Sequence, residues 1–236
     1  WGGQITPTVA GKYNPIYTCS IMRSCLEYGM TGIYKGICCA VMPILCDTFR
    51  GMSGAWRVGV KDIPLVSFIH PQNRTNSASR DFLAAEYGEV KKQLEAIAGH
   101  PITEADMARS IGVYNRHHAV LRQFLALAND HLDVITPRLR HTVMKSAHLM
   151  EKEEHTAIVA KLVEELAKMP KHEWKGKKVI LTGITGEPNE LLDLFAENKI
   201  AVVGDDLAQE SRQIRVDIPE GGTSLERLAQ QWLDRA

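Results

Sequence analysis

Apolar residues recur along this chain with two different periods. From Ser79 the period is helical: Leu83, Tyr87, Val90, Leu94 and Ile97 are spaced 4, 3, 4 and 3, and Gly99 supplies a stop. Thr103-Glu104-Ala105-Asp106 reads as a capping box opening a second helix, with Met107, Ile111, Tyr114, Leu121 and Leu125 as its buried stripe. Thr136-Pro137 opens a third on an N-cap and an N1 proline. Glu151 to Lys168 is a fourth, with Ile158, Leu162 and Leu166 on one face and dense charge on the other.

Short apolar runs bounded by turn residues predict strands on both sides of these helices. Ile37 to Leu45 reads as a buried parallel-type strand, and Ile63 to Ile69 as a second one that follows FRGMSGAWRVG and ends at His70-Pro71-Gln72-Asn73. Before them, Ser20 to Tyr34 reads as a helix with Ser20 as N-cap and Ile21, Leu26 and Met30 apolar, its end weakened by Gly29 and Gly32. Trp1 to Tyr17, with Gly2, Gly3, Pro7, Gly11 and Pro15, is a lead-in loop. Near the other end, Lys178 to Leu181 is a strand, Gly183 to Gly186 a tight turn, Pro188 to Glu197 a helix and Ile200 to Val203 a second strand ending at Gly204-Asp205-Asp206. That order is a βαβ unit of right-handed crossover. Ser224 to Asp234 adds a helix with Leu225, Leu228 and Trp232.

The expected fold is therefore α/β: a first α/β domain over 1–78, a helical connector over 79–174 and a second α/β domain over 175–236. Two strands are too few for a stable sheet of their own, so the second sheet is expected to be incomplete. The opening WGGQITPTVAGKYNP lacks an initiator Met, and together these features lead us to expect a fragment of a longer subunit.

Composition narrows the function classes. With 44% hydrophobic and 24% charged residues, the 236-residue chain can bury a real core. Lys plus Arg and Asp plus Glu both total 28, which leaves no electrostatic case for nucleic acid or an anionic membrane. The longest apolar run is far below the roughly 20 residues that span a bilayer. No signal peptide opens the chain, and an odd number of cysteines argues against a disulfide framework, so a reducing cytoplasm is expected.

The cysteines themselves are unevenly placed. Cys19, Cys25, Cys38, Cys39 and Cys46 all fall between Tyr17 and Thr48. Their spacing matches neither the ferredoxin runs nor the paired CxxC of structural zinc. Cys38 and Cys39 read as small core residues on the buried strand, and Cys25 as core filling inside the first helix. Cys19 and Cys46 stand at element ends, followed by the polar Ser20 and Asp47. Cys19 precedes a helix N-terminus, where the dipole favours an anionic sulfur, and Cys46 lies at the carboxyl end of a strand, where ligands bind in open α/β sheets. On pattern alone, ligation and ordinary packing stay equally open for this pair.

The combination of YTCS, LCDTFRG, HPQNRTN, EAIAGHPITEADMARSIGVYN and VILTGITGEPNELLDLFAENKIAVVGDDLAQESR resembles the 2-hydroxyacyl-CoA dehydratase family, whose relatives include benzoyl-CoA reductases and double-cubane proteins. The resemblance spans nearly the whole chain and is most specific at the Cys-Asp strand end and the GDD turn. It implies two Rossmann-like parallel-sheet domains holding an iron-sulfur cluster, [4Fe-4S], through three cysteines. Two ligands correspond to Cys19 and Cys46, with Ser20 and Asp47 orienting the sulfurs or merely capping helices. The third normally follows in the second domain, and the cysteine common after the GDD turn is Ala208 here.

The activity implied by the resemblance is elimination of water from an (R)-2-hydroxyacyl-CoA to an enoyl-CoA, in anaerobic metabolism. A separate ATP-hydrolysing activator supplies one low-potential electron, a ketyl radical anion expels the hydroxyl, and a related subunit completes a heterodimer. Two other readings stay open: an ATP-coupled reductase of the benzoyl-CoA type, and a non-catalytic subunit that relays electrons or holds a partner. Elsewhere, His117-His118 on the helical connector reads as packed or solvent-facing, Asp205 and Asp206 as turn residues able to meet a ribose or partner, and Trp56 and Arg57 as packing or a contact for a CoA tail. The TGITG turn lacks GxGxxG and gives no case for NAD.

Overall fold

A computed structural model describes residues 5–235, so Gly2 and Gly3 of the expected lead-in lie outside the described residues. The chain divides between Thr103 and Glu104 into two compact units. In the first, a short 3-10 turn at Ala10–Lys12 leads to α1 (Ser20–Met30), β1 (Ala40–Ile44), α2 (Asp47–Gly59), β2 (Leu65–Ile69) and α3 (Ser79–Ala98). The strands are parallel, in register from Ala40 opposite Leu65 to Ile44 opposite Ile69, which makes α2 their crossover. Its core is built from Ala10, Leu26, Met42, Met52, Ala55, Trp56, Val60 and Ile63.

Two expectations in this unit are corrected, and one element is added. Ser20 is the first helical residue, and Cys19 is the N-cap. The strand expected over Ile37 to Leu45 starts only at Ala40, because a turn closed by Ile37 N–H on the Tyr34 carbonyl, with Gly36 at φ 98°, delays pairing. Cys38 is consequently exposed and Cys39 half-buried ahead of the strand, and one face of β1 stays open, with Val41 47% exposed. Finally, the FRGMSGAWRVG stretch, given no element above, is helical in α2. Gly51 and Gly54 mask its helical pattern, yet both have open space where a Cβ would lie, so they sit on the outer face while Met52, Ala55 and Trp56 fill the core. The helix expected from Ser79 is α3, ending at Gly99 in the left-handed region at φ 76°.

The second unit runs α4 (Glu104–Ala128), α5 (Pro137–Ser146), α6 (Lys152–Lys168), β3 (Lys177–Gly183), α7 (Asn189–Glu197), β4 (Ile200–Leu207), α8 (Ser211–Ile214) and α9 (Ser224–Asp234). Thr136 caps α5 as expected, its hydroxyl accepting the Leu139 N–H, with Pro137 in the first turn. Thr223 and Glu226 form a capping box on α9. The core joins Leu121, Phe124 and Ala128 of α4 to Met144, Val159, Leu166 and Ile214. The buried row of α6 is His155, Val159 and Leu166, while Ile158 is 51% exposed. The α4 stripe likewise leaves Tyr114 43% exposed and buries His117 and His118. Apolar periodicity alone misplaces these rows because hydrogen-bonded or packed histidines occupy core positions.

Strands β3 and β4 are parallel across the α7 crossover, with a one-residue register shift between Val179 and Ile180. That shift lets β4 continue through Gly204-Asp205-Asp206 to Leu207 instead of stopping at Val203. Both units are thus α/β, each with a two-stranded parallel sheet among the described residues. No helix among the described residues is long and apolar enough to cross a membrane.

Candidate functional site

Cys19 and Cys46 occupy the same structural position on two neighbouring helices. Each is an N-cap whose carbonyl accepts the first intrahelical bond, from Arg23 N–H at 3.1 Å and from Arg50 N–H at 3.1 Å respectively. Neither sulfur makes a cap hydrogen bond, and both residues are exposed. Ser20 and Asp47 follow at the first helical position of α1 and α2, also exposed. A cysteine is a weak N-cap compared with Ser, Thr or Asp, so its presence at both helix starts is not explained by helix stability.

The two helices that carry these caps pack against each other at their far ends. Gly29 of α1 lies against α2, where a Cβ would meet Val60 Cγ2 at 2.9 Å and Trp56 at 3.0 Å, and Gly59 faces Met30 in return. Gly29 stands ten residues beyond Cys19, and Trp56 ten beyond Cys46. As the crossover between parallel strands, α2 runs against the direction of β1 and opens at the carboxyl edge of the strands. Trp56 fixes the joint: its Nε1–H donates to the Ile63 carbonyl at 2.9 Å and Tyr34 stacks on it at 6.3 Å.

Ahead of Cys19, the lead-in is tied down by Glu27 of α1, which is 2% exposed. Its carboxylate accepts from Ala10 N–H at 2.7 Å, Val9 N–H at 2.9 Å and the Thr8 hydroxyl at 2.9 Å. At the end of β2, His70 is buried among Phe68 and Tyr87, and burial together with the Arg74 charge lowers its pKa to about 4. The Asn73 side chain accepts Thr75 N–H and so shapes the turn that leads to α3.

Asp205 and Asp206 face inward and sideways within their own unit. Asp205 and Glu210 clamp the buried Arg140 of α5, at 2.5 and 3.2 Å, and Glu210 also meets His141 Nδ1 at 2.7 Å. Asp206 pairs with Arg212 and Arg215 on its own side of the turn. The GDD turn is thus a structural junction between α5 and the end of β4. Sequence gave no sign of this, since the partner arginine lies 65 positions away. Among the described residues, no three His, Cys, Asp or Glu side chains are grouped to hold a metal ion.

Comparison with known proteins adds the family. The chain is 45% identical over 234 residues to lactoyl-CoA dehydratase subunit beta of Anaerotignum propionicum, an alignment covering 98% of this chain and 62% of that one. It is 37% identical to the (R)-phenyllactyl-CoA dehydratase beta subunit of Clostridium sporogenes, covering 100% of this chain and 63% of the relative. The (R)-2-hydroxyglutaryl-CoA dehydratase subunit beta of Acidaminococcus fermentans is 38% identical, with 98% and 62% covered. The chain therefore spans somewhat under two thirds of the length of these curated relatives. Residues 2–236 match the model of one family throughout, and on that extent of agreement the chain belongs to the 2-hydroxyglutaryl-CoA dehydratase D-component family.

Proposed function

We propose that this protein is a subunit of a 2-hydroxyacyl-CoA dehydratase, in which Cys19 and Cys46 hold an iron-sulfur cluster of the [4Fe-4S] type. The observation that carries the reading is the matched pair of exposed cysteine N-caps, each with its sulfur unused by the helix it opens, in a chain whose relatives are named as dehydratase beta subunits. The donor set fits the group: thiol sulfurs are its usual ligands, and first-turn N–H groups of two helices favour the negative charge that such a cluster carries. When bound, the cluster supplies one-electron redox chemistry and an iron able to act as a Lewis acid toward an oxygen ligand.

The residues of this chain do the holding. The Gly29–Trp56 contact keeps α1 and α2 together, and Glu27 keeps the chain entering Cys19 in place. Ser20 and Asp47 stand next to the sulfurs, where a hydroxyl and a carboxylate can orient them through hydrogen bonds. A third ligand comes from outside this pair. The beta-subunit names of the relatives support a heterodimer with a related subunit, and the reading further requires an ATP-hydrolysing activator and an (R)-2-hydroxyacyl-CoA substrate, in the cytoplasm, where five unpaired thiols persist.

The protein purified without oxygen together with its partner subunit should be brown and carry iron and sulfide in near-equal amounts. With activator, ATP and an (R)-2-hydroxyacyl-CoA it should form the enoyl-CoA. Iron-free, colourless protein would overturn the cluster assignment. An iron-containing protein that reduces the thioester without releasing water would overturn the dehydratase reading.

A further inference from the structure

Two cysteines outside the proposed ligand pair stand side by side. Cys38 and Cys39 lie between the Gly36 turn, at φ 98°, and the first residue of β1, outside any helix or strand. Both thiols are free, with Cys38 exposed and Cys39 half-buried. The parallel ladder opens only past them, where the Ala40 N–H donates to the Pro64 carbonyl at 2.9 Å. A rung one step earlier would need an N–H from residue 64, and proline has none. The sequence therefore keeps the pair just ahead of the sheet.

The two thiols also meet. Burial pushes the Cys39 thiol up, and Cys38 adds to this through a hydrogen bond between the thiols and through its charge. Cys25, by contrast, packs on the core of this unit, and Cys19 and Cys46 cap separate helices. Consecutive Cα atoms are about 3.8 Å apart across a trans peptide, whereas bridged cysteines usually stand about 4.4–6.8 Å apart. A disulfide between neighbours thus closes a small strained ring, and strained, exposed disulfides are the ones that ordinary thiols reopen. Chain that precedes the ladder can twist to admit such a ring, which a residue inside β1 could do only by losing rungs.

We propose that Cys38 and Cys39 are a reversible modification site, converted by a low-molecular-weight disulfide into a disulfide between the two neighbours. The thiolate of the exposed Cys38 attacks one sulfur of the reagent, which forms a mixed disulfide and expels a first thiolate. The Cys39 thiolate then attacks the Cys38 sulfur, closing the ring and expelling the second. Two electrons and the two thiol protons pass from the pair to the reagent, which leaves as two thiols. Excess thiol reverses both steps. The inference needs neither Cys19 nor Cys46 and stands whether or not they hold a cluster.

Treatment of the anaerobically purified protein with oxidised glutathione tests it. After an acid quench, free thiols are blocked with N-ethylmaleimide under denaturing conditions. The tryptic peptide from Gly36 to Arg50, which carries Cys38, Cys39 and Cys46, is then read by fragmentation mass spectrometry. Before oxidation all three thiols should take the label. Afterwards Cys46 alone should take it, with Cys38 and Cys39 joined, and Cys46→Ser should form the same ring with its third thiol removed. An excess of reduced glutathione should restore both labels, and Cys39→Ser should stop at the glutathione adduct of Cys38. A stable glutathione adduct as the end product in the Cys46→Ser protein overturns the proposal. So does pairing of either neighbour with Cys46 or Cys25, a ring that reduced glutathione leaves closed, or no reaction at all.

Discussion

The Glu27 carboxylate accepts the Ala10 backbone N–H at 2.7 Å and so joins the middle of α1 to a turn 17 residues earlier. Burial alone would raise the pKa of this carboxyl. The N–H groups of Ala10 and Val9 and the Thr8 hydroxyl outweigh burial and hold it at about 2. The stabilisation they give is complete above the ordinary carboxyl range near 4.5 and is lost as the pH falls toward 2. Replacing Glu27 with Gln turns one acceptor into a donor facing backbone N–H groups, and should cost about 2–3 kcal/mol in urea unfolding at pH 7. A change under about 0.5 kcal/mol would mean that the lead-in is not anchored there.

Substitution of the two capping cysteines separates ligation from structure. Serine is a better N-cap than cysteine, so Cys19→Ser and Cys46→Ser should each leave unfolding stability unchanged or raised by up to about 1 kcal/mol. Each should nevertheless lose most of the iron from the anaerobically purified protein. Cys38→Ser, at an exposed position ahead of β1, should keep its iron. Iron retained in both cap variants would remove Cys19 and Cys46 from the ligand set.

These contrasts also mark how far sequence could reach. The helix over Ser79–Ala98 and the starts at Thr136-Pro137 were legible because their signals are local: a repeating apolar row, a left-handed glycine, a cap beside a proline. Cys19 and Cys46 stood out because element ends are local too. What sequence did not supply were the partners reached through folding. Arg140 meets Asp205 across 65 positions, and His117 meets His155 across 38, and such pairs turn polar residues into core residues that a hydropathy pattern assigns to the surface. α2 was hidden by two glycines whose cost to the helix is offset by packing of Met52 and Trp56.

The Arg140 junction yields a stability prediction. The Arg140 side chain is 5% exposed, Asp205 0% and Glu210 2%, so removing the cation strands two carboxylates in the core. Burial opposes ionisation of Asp205, and the Arg140 charge is what holds its pKa below the ordinary value. Arg140→Met should cost about 3–5 kcal/mol. Adding Asp205→Asn to that variant should recover part of the loss, a non-additivity that a double-mutant cycle by urea denaturation measures directly. Simple additivity of the two losses would argue that the pair does not interact.

Acid should weaken this protein well before carboxylates protonate. Burial is the main cause that lowers His117 and His118 to pKa values of about 4, against 6.5 for a free ring, with nearby Lys152 adding to both, and burial and Arg74 do the same to His70. Between these two values the unfolded chain binds protons that the folded chain refuses. Stability is therefore complete above about pH 6.5 and declines as the pH falls toward 4, by at most about 1.4 kcal/mol per pH unit for each ring. Glu27 acts with the same sign but only below about 4.5, so the interval from pH 7 to 5 isolates the histidines. Urea midpoints at pH 7.5, 6 and 5 should fall progressively, and His118→Gln should flatten the slope by removing one ring. A midpoint constant from pH 7.5 to 5 would show that these rings protonate as readily folded as unfolded, contrary to their burial.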